Sequence, residues 1–197
     1  MSNLSRRTKT ILAFLILIAV GYVFTIVWQG ENQIPKDFTD ARLQGAAIAE
    51  NIVALSAQST SDLQKVNQLD ESGNYTDALA LTTNLVVQSQ QLRDQAVALS
   101  TQIENMTKSL SSLNSNAQQA ALEAITSRLA LVTQLINYSG DLETLLDTLR
   151  DRFIGTATPA GKVQTLVNQI NTDVTAVNNF NVQATQAMNQ FDSIMAK

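Results

Sequence analysis

Residues 85–113 read LVVQSQQLRDQAVALSTQIENMTKSLSSL, and their spacing decides the fold. Leu85, Ser89, Leu92, Ala96, Leu99, Ile103, Met106, Leu110 and Leu113 recur at alternating intervals of four and three. That interval places all nine on one stripe of an α-helix, and only Ser89 among them is polar. A stripe this regular is a coiled-coil-like heptad seam, which a helix must bury against other helices.

The same pattern extends in both directions. Upstream, Ile48, Ile52, Leu55, Val66 and Leu69 predict a helix over residues 36–70, with Gly73 as the left-handed residue that closes it. The central helix is expected over residues 75–113. Downstream, Asn116 with Gln119 three residues later reads as a capping box opening a third helix that reaches Phe153. Its apolar face is broad: Leu122, Ile125, Leu129, Val132, Leu135, Ile136, Leu142, Leu145, Leu146 and Leu149. Ser139-Gly140-Asp141 is its weak point, where a continuous or kinked helix is expected rather than a break. A fourth helix is predicted to start on Pro159 as its first residue and to carry Val163, Val167, Ile170, Val174, Val177, Asn181, Ala184, Met188, Phe191 and Met195 along its seam. Sustained period-two alternation, the mark of a strand, is lacking.

Four helices of about 35 residues would each be roughly 50 Å long. The connections between them are short, at 71–74, 113–116 and 155–159, so sequential neighbours must run antiparallel. The expected fold class is therefore all-α, with an antiparallel up-down-up-down four-helix bundle filling residues 37–197.

Ahead of the bundle lies a different kind of segment. Residues 11–28, opening on Ile11 and closing on Trp28, form the uncharged run ILAFLILIAVGYVFTIVW, preceded by Arg6, Arg7 and Lys9. At about 1.5 Å rise per residue it spans roughly 27 Å, just enough for a hydrocarbon core. The flanking positive charge predicts a single transmembrane helix with residues 1–10 in the cytoplasm, a linker at 29–36, and the bundle in the periplasm or outside the cell. Ala19-Val20-Gly21 offers the small residues of a signal-peptidase site. The apolar run nevertheless continues through Tyr22 to Trp28, and the expectation is an uncleaved signal-anchor.

Composition narrows the functional classes. The chain contains no Cys and no His, which removes thiol nucleophiles, His-based triads, and zinc sites built on those ligands. No metal and no cofactor is expected. Beyond the anchor, ten Lys and Arg face seventeen Asp and Glu, a net of −7, so nucleic acid is a poor partner. Helix surfaces rich in Gln, Asn, Ser and Thr dock against protein without burying charge, which suits a protein partner or self-association.

Three groups of residues stand out. Tyr75, Phe153, Ile154 and Pro159 fall at the turns farthest from the anchor and are candidates for partner contact at a distal tip. Ser59, Asp62, Ser89 and Ser139 lie at similar distances from those turns, and together would make a polar layer in the core. This layer reads as a narrow stretch of core with Ser hydroxyls bonded to the preceding turn, in preference to a ligand pocket. Asn181, alone in an apolar seam, is the candidate for specifying register.

Gly73-Asn74-Tyr75-Thr76-Asp77-Ala78 resembles the hairpin segment of a tetratricopeptide repeat. The match covers six residues and occurs once, and implies a helix-turn-helix with Tyr75 and Ala78 at its base. The layout of one N-terminal membrane helix before a helical bundle is similar to that of LemA-like bacterial proteins, a likeness of architecture from which no role transfers. The expected function is a non-enzymatic, membrane-anchored extracytoplasmic scaffold or interaction bundle, one that would suit an envelope complex. The alternatives are a ligand-sensing ectodomain, similar in layout to those of chemoreceptors and signalling through a partner, and a LemA-like single-pass protein.

Overall fold

The computed structural model describes residues 34–159 and 161–196. The predicted membrane run from Ile11 to Trp28 lies outside them, and no described helix is long and apolar enough to cross a membrane. Four long helices account for nearly all of the described chain: α1 (Lys36–Ser72), α2 (Tyr75–Lys108), α3 (Ser115–Phe153) and α4 (Lys162–Met195), with a 3-10 turn at Leu110–Ser112.

Each helix packs along its length on the next in sequence, as short connections between antiparallel rods require. All nine seam positions of residues 85–113 are buried. They face Ile52, Leu63 and Val66 of α1, the Ala117 to Leu149 face of α3, and the Val167 to Met195 seam of α4 in one continuous core. Gly45 marks a close approach of α1 to α2, since a Cβ there would stand 3.5 Å from Leu99 Cδ1 and 3.6 Å from Gln102 Cβ.

α1 and α4 are joined by no direct connection. They meet at one end of the bundle, where Phe38 and Phe191, both wholly buried, place their rings 5.1 Å apart. Beside them Arg42 forms a two-pronged ion pair with Asp192, Nη1 to Oδ1 at 2.6 Å and Nη2 to Oδ2 at 2.7 Å. At the opposite end Asp70, near the close of α1, accepts from Arg152, near the close of α3. These two end contacts show that α1 and α3 run in one direction and α4 in the other.

The expected closure at Gly73 is present. Its φ is 74°, its N–H donates to Asp70 O, and Asn74 N–H reaches back to Leu69 O. α3 runs without a break through Gly140.

Four local expectations are corrected. Asn114, not Asn116, caps α3, because its side chain accepts from Ala117 N–H at 2.9 Å and so starts the helix two residues sooner, in time to bury Ala117 and Ala120. Pro159 is outside α4: its carbonyl closes a turn onto Lys162 N–H, and Gly161, at φ 83°, cannot lie within a helix. α2 ends at Lys108 rather than Leu113. The tighter turn that follows still returns Leu110 and Leu113 to the core, since its three-residue period preserves their side. Leu122 and Leu129 are 44% exposed. The alanines at 117, 120, 121 and 124 narrow this end of the core, and the two leucines lie on the flank beyond it.

Candidate functional site

The end of the bundle that holds Tyr75 and Phe153, the candidate tip, is built from two helix boundaries. Asn74 accepts from Asp77 N–H and donates its own amide to the Asp77 carboxylate at 2.7 Å, which fixes the first turn of α2. Tyr75 is thereby the first residue of that helix, and its ring stacks on Phe153 with centroids 6.0 Å apart. Phe153 is buried beneath it, while Tyr75 remains 43% exposed and Ile154 59% exposed. Ala78, the other residue of the hairpin resemblance, is wholly buried. The Arg152 guanidinium holds both oxygens of Asp70 at 2.9 Å in the same region. Of the four tip candidates the structure thus joins Tyr75 to Phe153. Ile154 and Pro159 are exposed in the connection that leads on to α4.

The polar layer divides into separate networks. Ser59 donates to Gln88 Oε1 at 2.9 Å, and Gln88 Nε2 donates in turn to Asp62. Asp62 also accepts from Gln58 and from Lys65 Nζ. Ser139 accepts from Arg93 Nε and Arg93 pairs with Glu143, so a second network crosses from α2 to α3. Ser89 joins neither, because its hydroxyl donates to Val86 O at 2.8 Å. Ser139 likewise donates back to Ile136 O. These serines satisfy themselves on their own helices.

Charge is handled differently at each network. Burial alone would push the Asp62 carboxyl up, but hydrogen bonds from Lys65, Gln58 and Gln88, with the lysine's charge, hold it below the ordinary 3.8. A carboxyl with a lowered folded value stabilises the protein above the unfolded value, and that contribution is lost as pH falls through the folded one. Asp62→Asn should therefore lower the melting temperature at pH 7, with the penalty shrinking below about pH 4. A penalty of the same size at pH 7 and pH 3 would show that the residue acts through packing alone.

A third polar site, between α3 and α4, escaped the sequence reading. Asp173 is 4% exposed and accepts from Gln169 Nε2 through Oδ1, and Asp141 of α3 is the neighbouring carboxylate that acts on it. Burial and the neighbouring carboxylate push its carboxyl up to about 6. The signal was available: Ile170, Asp173, Val174 and Val177 occupy positions i, i+3, i+4 and i+7, so Asp173 stands on the buried face.

Asn181 is half-buried in α4, with an Oδ1 that has no hydrogen-bond partner. The Tyr138 hydroxyl is in the same state, and burial pushes that phenol to about 12. At the end opposite the tip, a polar cleft of about 510 Å³ lies between the start of α1 and the end of α2, lined by Asp37, Asp40, Gln44, Gln102, Asn105 and Lys108. Among the described residues no group of three or more Asp or Glu is placed to hold a metal ion. Comparison with family models, with curated proteins and with solved structures returned no match to this chain.

Proposed function

We propose that this chain is a non-enzymatic scaffold or interaction protein. In this reading it is anchored by residues 11–28 with its N-terminus in the cytoplasm, and it carries its helical bundle outside the membrane to meet a protein partner at the distal tip. The observation that carries the reading is the tip itself. Tyr75 and Ile154 are exposed large apolar side chains at the same end of the molecule, on a base braced by Phe153 and by the Asp70–Arg152 pair. Aromatic and aliphatic groups held on a rigid support lose little freedom on binding, which is what an interaction surface needs. The polarity of α1 supports the orientation, because the helix that leaves the anchor ends at Gly73, beside the tip.

The absence of native cysteine makes the topology directly testable. A single Ile154→Cys substitution should react with a membrane-impermeant maleimide added to intact cells, and Ser5→Cys should react only after lysis. Reversal of that pattern would remove the anchor reading. For the partner, a photo-crosslinking side chain placed at 154 should give a discrete adduct, whereas one at Val97, likewise exposed on the shaft of α2, should not. Adducts of equal yield at both positions would argue against a tip contact. Tyr75→Ser and Ile154→Ser are the variants to combine with this assay, since Phe153 is buried and its loss would weaken the fold as well. Together they should abolish the adduct and leave helicity unchanged.

A further inference from the structure

We propose that the outer face of α4 pairs with the same face of a second copy of this chain, the two helices lying side by side in parallel. α4 carries two stripes at helical spacing. One is its seam in the core. The other lies on the opposite side of the helix, where Asn168, Thr172, Thr175, Asn179, Val182 and Gln186 recur at alternating intervals of four and three and are all exposed.

Its chemistry sets this stripe apart from the other outer surfaces. After Lys162 every exposed residue of α4 is uncharged, over a rise of about 45 Å. The exposed positions of α1 include Glu50 and Lys65, those of α2 Asp94 and Glu104, and those of α3 Glu123 and Arg150. Water alone does not select against charge on such a face, since Glu and Lys solvate a helix and pair along it. Contact with protein does, because a charge taken out of water must be paired.

Charge also selects a second copy as the occupant. Beyond residue 28 the chain carries a net −7, so two molecules repel through any face that presents their carboxylates. On α4 they can touch without that cost: Asp173 is buried, and Asp192 is bound to Arg42. A cationic partner would be drawn to the carboxylate-bearing faces instead. The stripe is moreover complementary to itself. An Asn amide is donor and acceptor at once, so Asn179 can bond to its own counterpart, and one such layer favours two strands in register. Thr172 and Thr175 donate their hydroxyls to Asn168 O and Asn171 O of their own helix, so pairing strands no hydroxyl. Val182, 54% exposed, gains cover against its counterpart. The parallel orientation rests on the anchor reading, because two copies held in one membrane leave it in the same direction. Confinement there also raises the local concentration that a contact with one apolar layer needs.

The test uses the full-length chain in native membranes, with single cysteines in a sequence that has none of its own. On mild oxidation Asn168→Cys and Val182→Cys should each give a disulfide-linked dimer, since parallel pairing brings each position to its own counterpart. Val87→Cys on α2, 51% exposed, should give none. Adding Asn179→Glu to Asn168→Cys should cut the dimer at least about tenfold, by setting two carboxylates face to face, and leave helicity unchanged. Equal dimer at 87 and 182, or a yield untouched by Asn179→Glu, would overturn the pairing. Antiparallel copies would join Asn168→Cys only to Asn189→Cys in a mixed sample, which would overturn the shared orientation. Maleimide labelling at 154 reads the anchor separately, so dimers at 168 and 182 with 154 shielded in intact cells would remove the anchor and keep the pairing.

Discussion

Phe191→Ala is expected to cost about 3–5 kcal/mol and to lower the melting temperature by on the order of 10 °C. The ring is wholly buried, so truncation removes both its transfer free energy and the packing around it, and leaves a cavity beside Phe38. Its position makes the loss more damaging than an equal cavity elsewhere. α1 and α4 share no connection, and at this end they are held by the Phe38–Phe191 ring contact and the adjacent Arg42–Asp192 pair. Emptying the first lets water reach the second, and a partly exposed ion pair contributes at most about 1 kcal/mol. Against a total stability of about 5–15 kcal/mol, one residue then carries a large share of the margin. Phe38→Ala should behave alike, and the double variant should cost less than the two singles combined, by about 0.5–1.5 kcal/mol for the ring pair. Thermal and urea unfolding would measure this. A loss under about 1 kcal/mol would mean that α4 is held by α3 alone.

How much of this was legible depends on what kind of residue carried the information. The seam of residues 85–113 was legible because hydrophobic periodicity is a local property, and nine positions at fixed spacing leave little choice of structure. The start of α3 was ambiguous locally, since Asn114 and Asn116 are both competent caps. The choice was made by the need to bury Ala117 and Ala120, which is a tertiary demand. Pro159 suggested a helix start on propensity, but Gly161 beyond it required a left-handed turn, and the later of the two signals prevailed. Ser59, Asp62, Ser89 and Ser139 were found because a polar residue stands out in an apolar stripe. Their partners Gln88, Arg93 and Glu143 were not, because a polar residue on a helix flank looks the same whether it faces water or another helix. Asp173 fell between these cases: its position marked it as buried, but a lone carboxylate in a seam does not reveal that it is left with one oxygen unpartnered.

The tip offers the second large effect. Arg152→Ala is expected to destabilise the bundle by about 3 kcal/mol, more than its partly exposed surface would suggest. The cost arises on its partner. The Asp70 side chain is 6% exposed against 35% for Arg152, and the guanidinium is the donor that holds both of its oxygens. Without it a carboxylate is left buried one turn from the C-terminus of α1, where the last carbonyls already present negative charge. Asp70→Asn should be much milder, because the amide oxygen still accepts from Arg152 and no charge is stranded. Arg152→Ala combined with Asp70→Asn should therefore recover most of the stability lost in Arg152→Ala. That recovery distinguishes a stranded charge from the loss of the arginine's hydrocarbon packing, which the second substitution could not restore. The same series separates fold from contact at the tip. Tyr75 and Ile154 remain in place on a destabilised base, so partner crosslinking at 154 should weaken in Arg152→Ala and return in the double variant, in step with the melting temperature. Crosslinking that disappears in Asp70→Asn, with the fold intact, would instead assign the carboxylate itself to the contact surface.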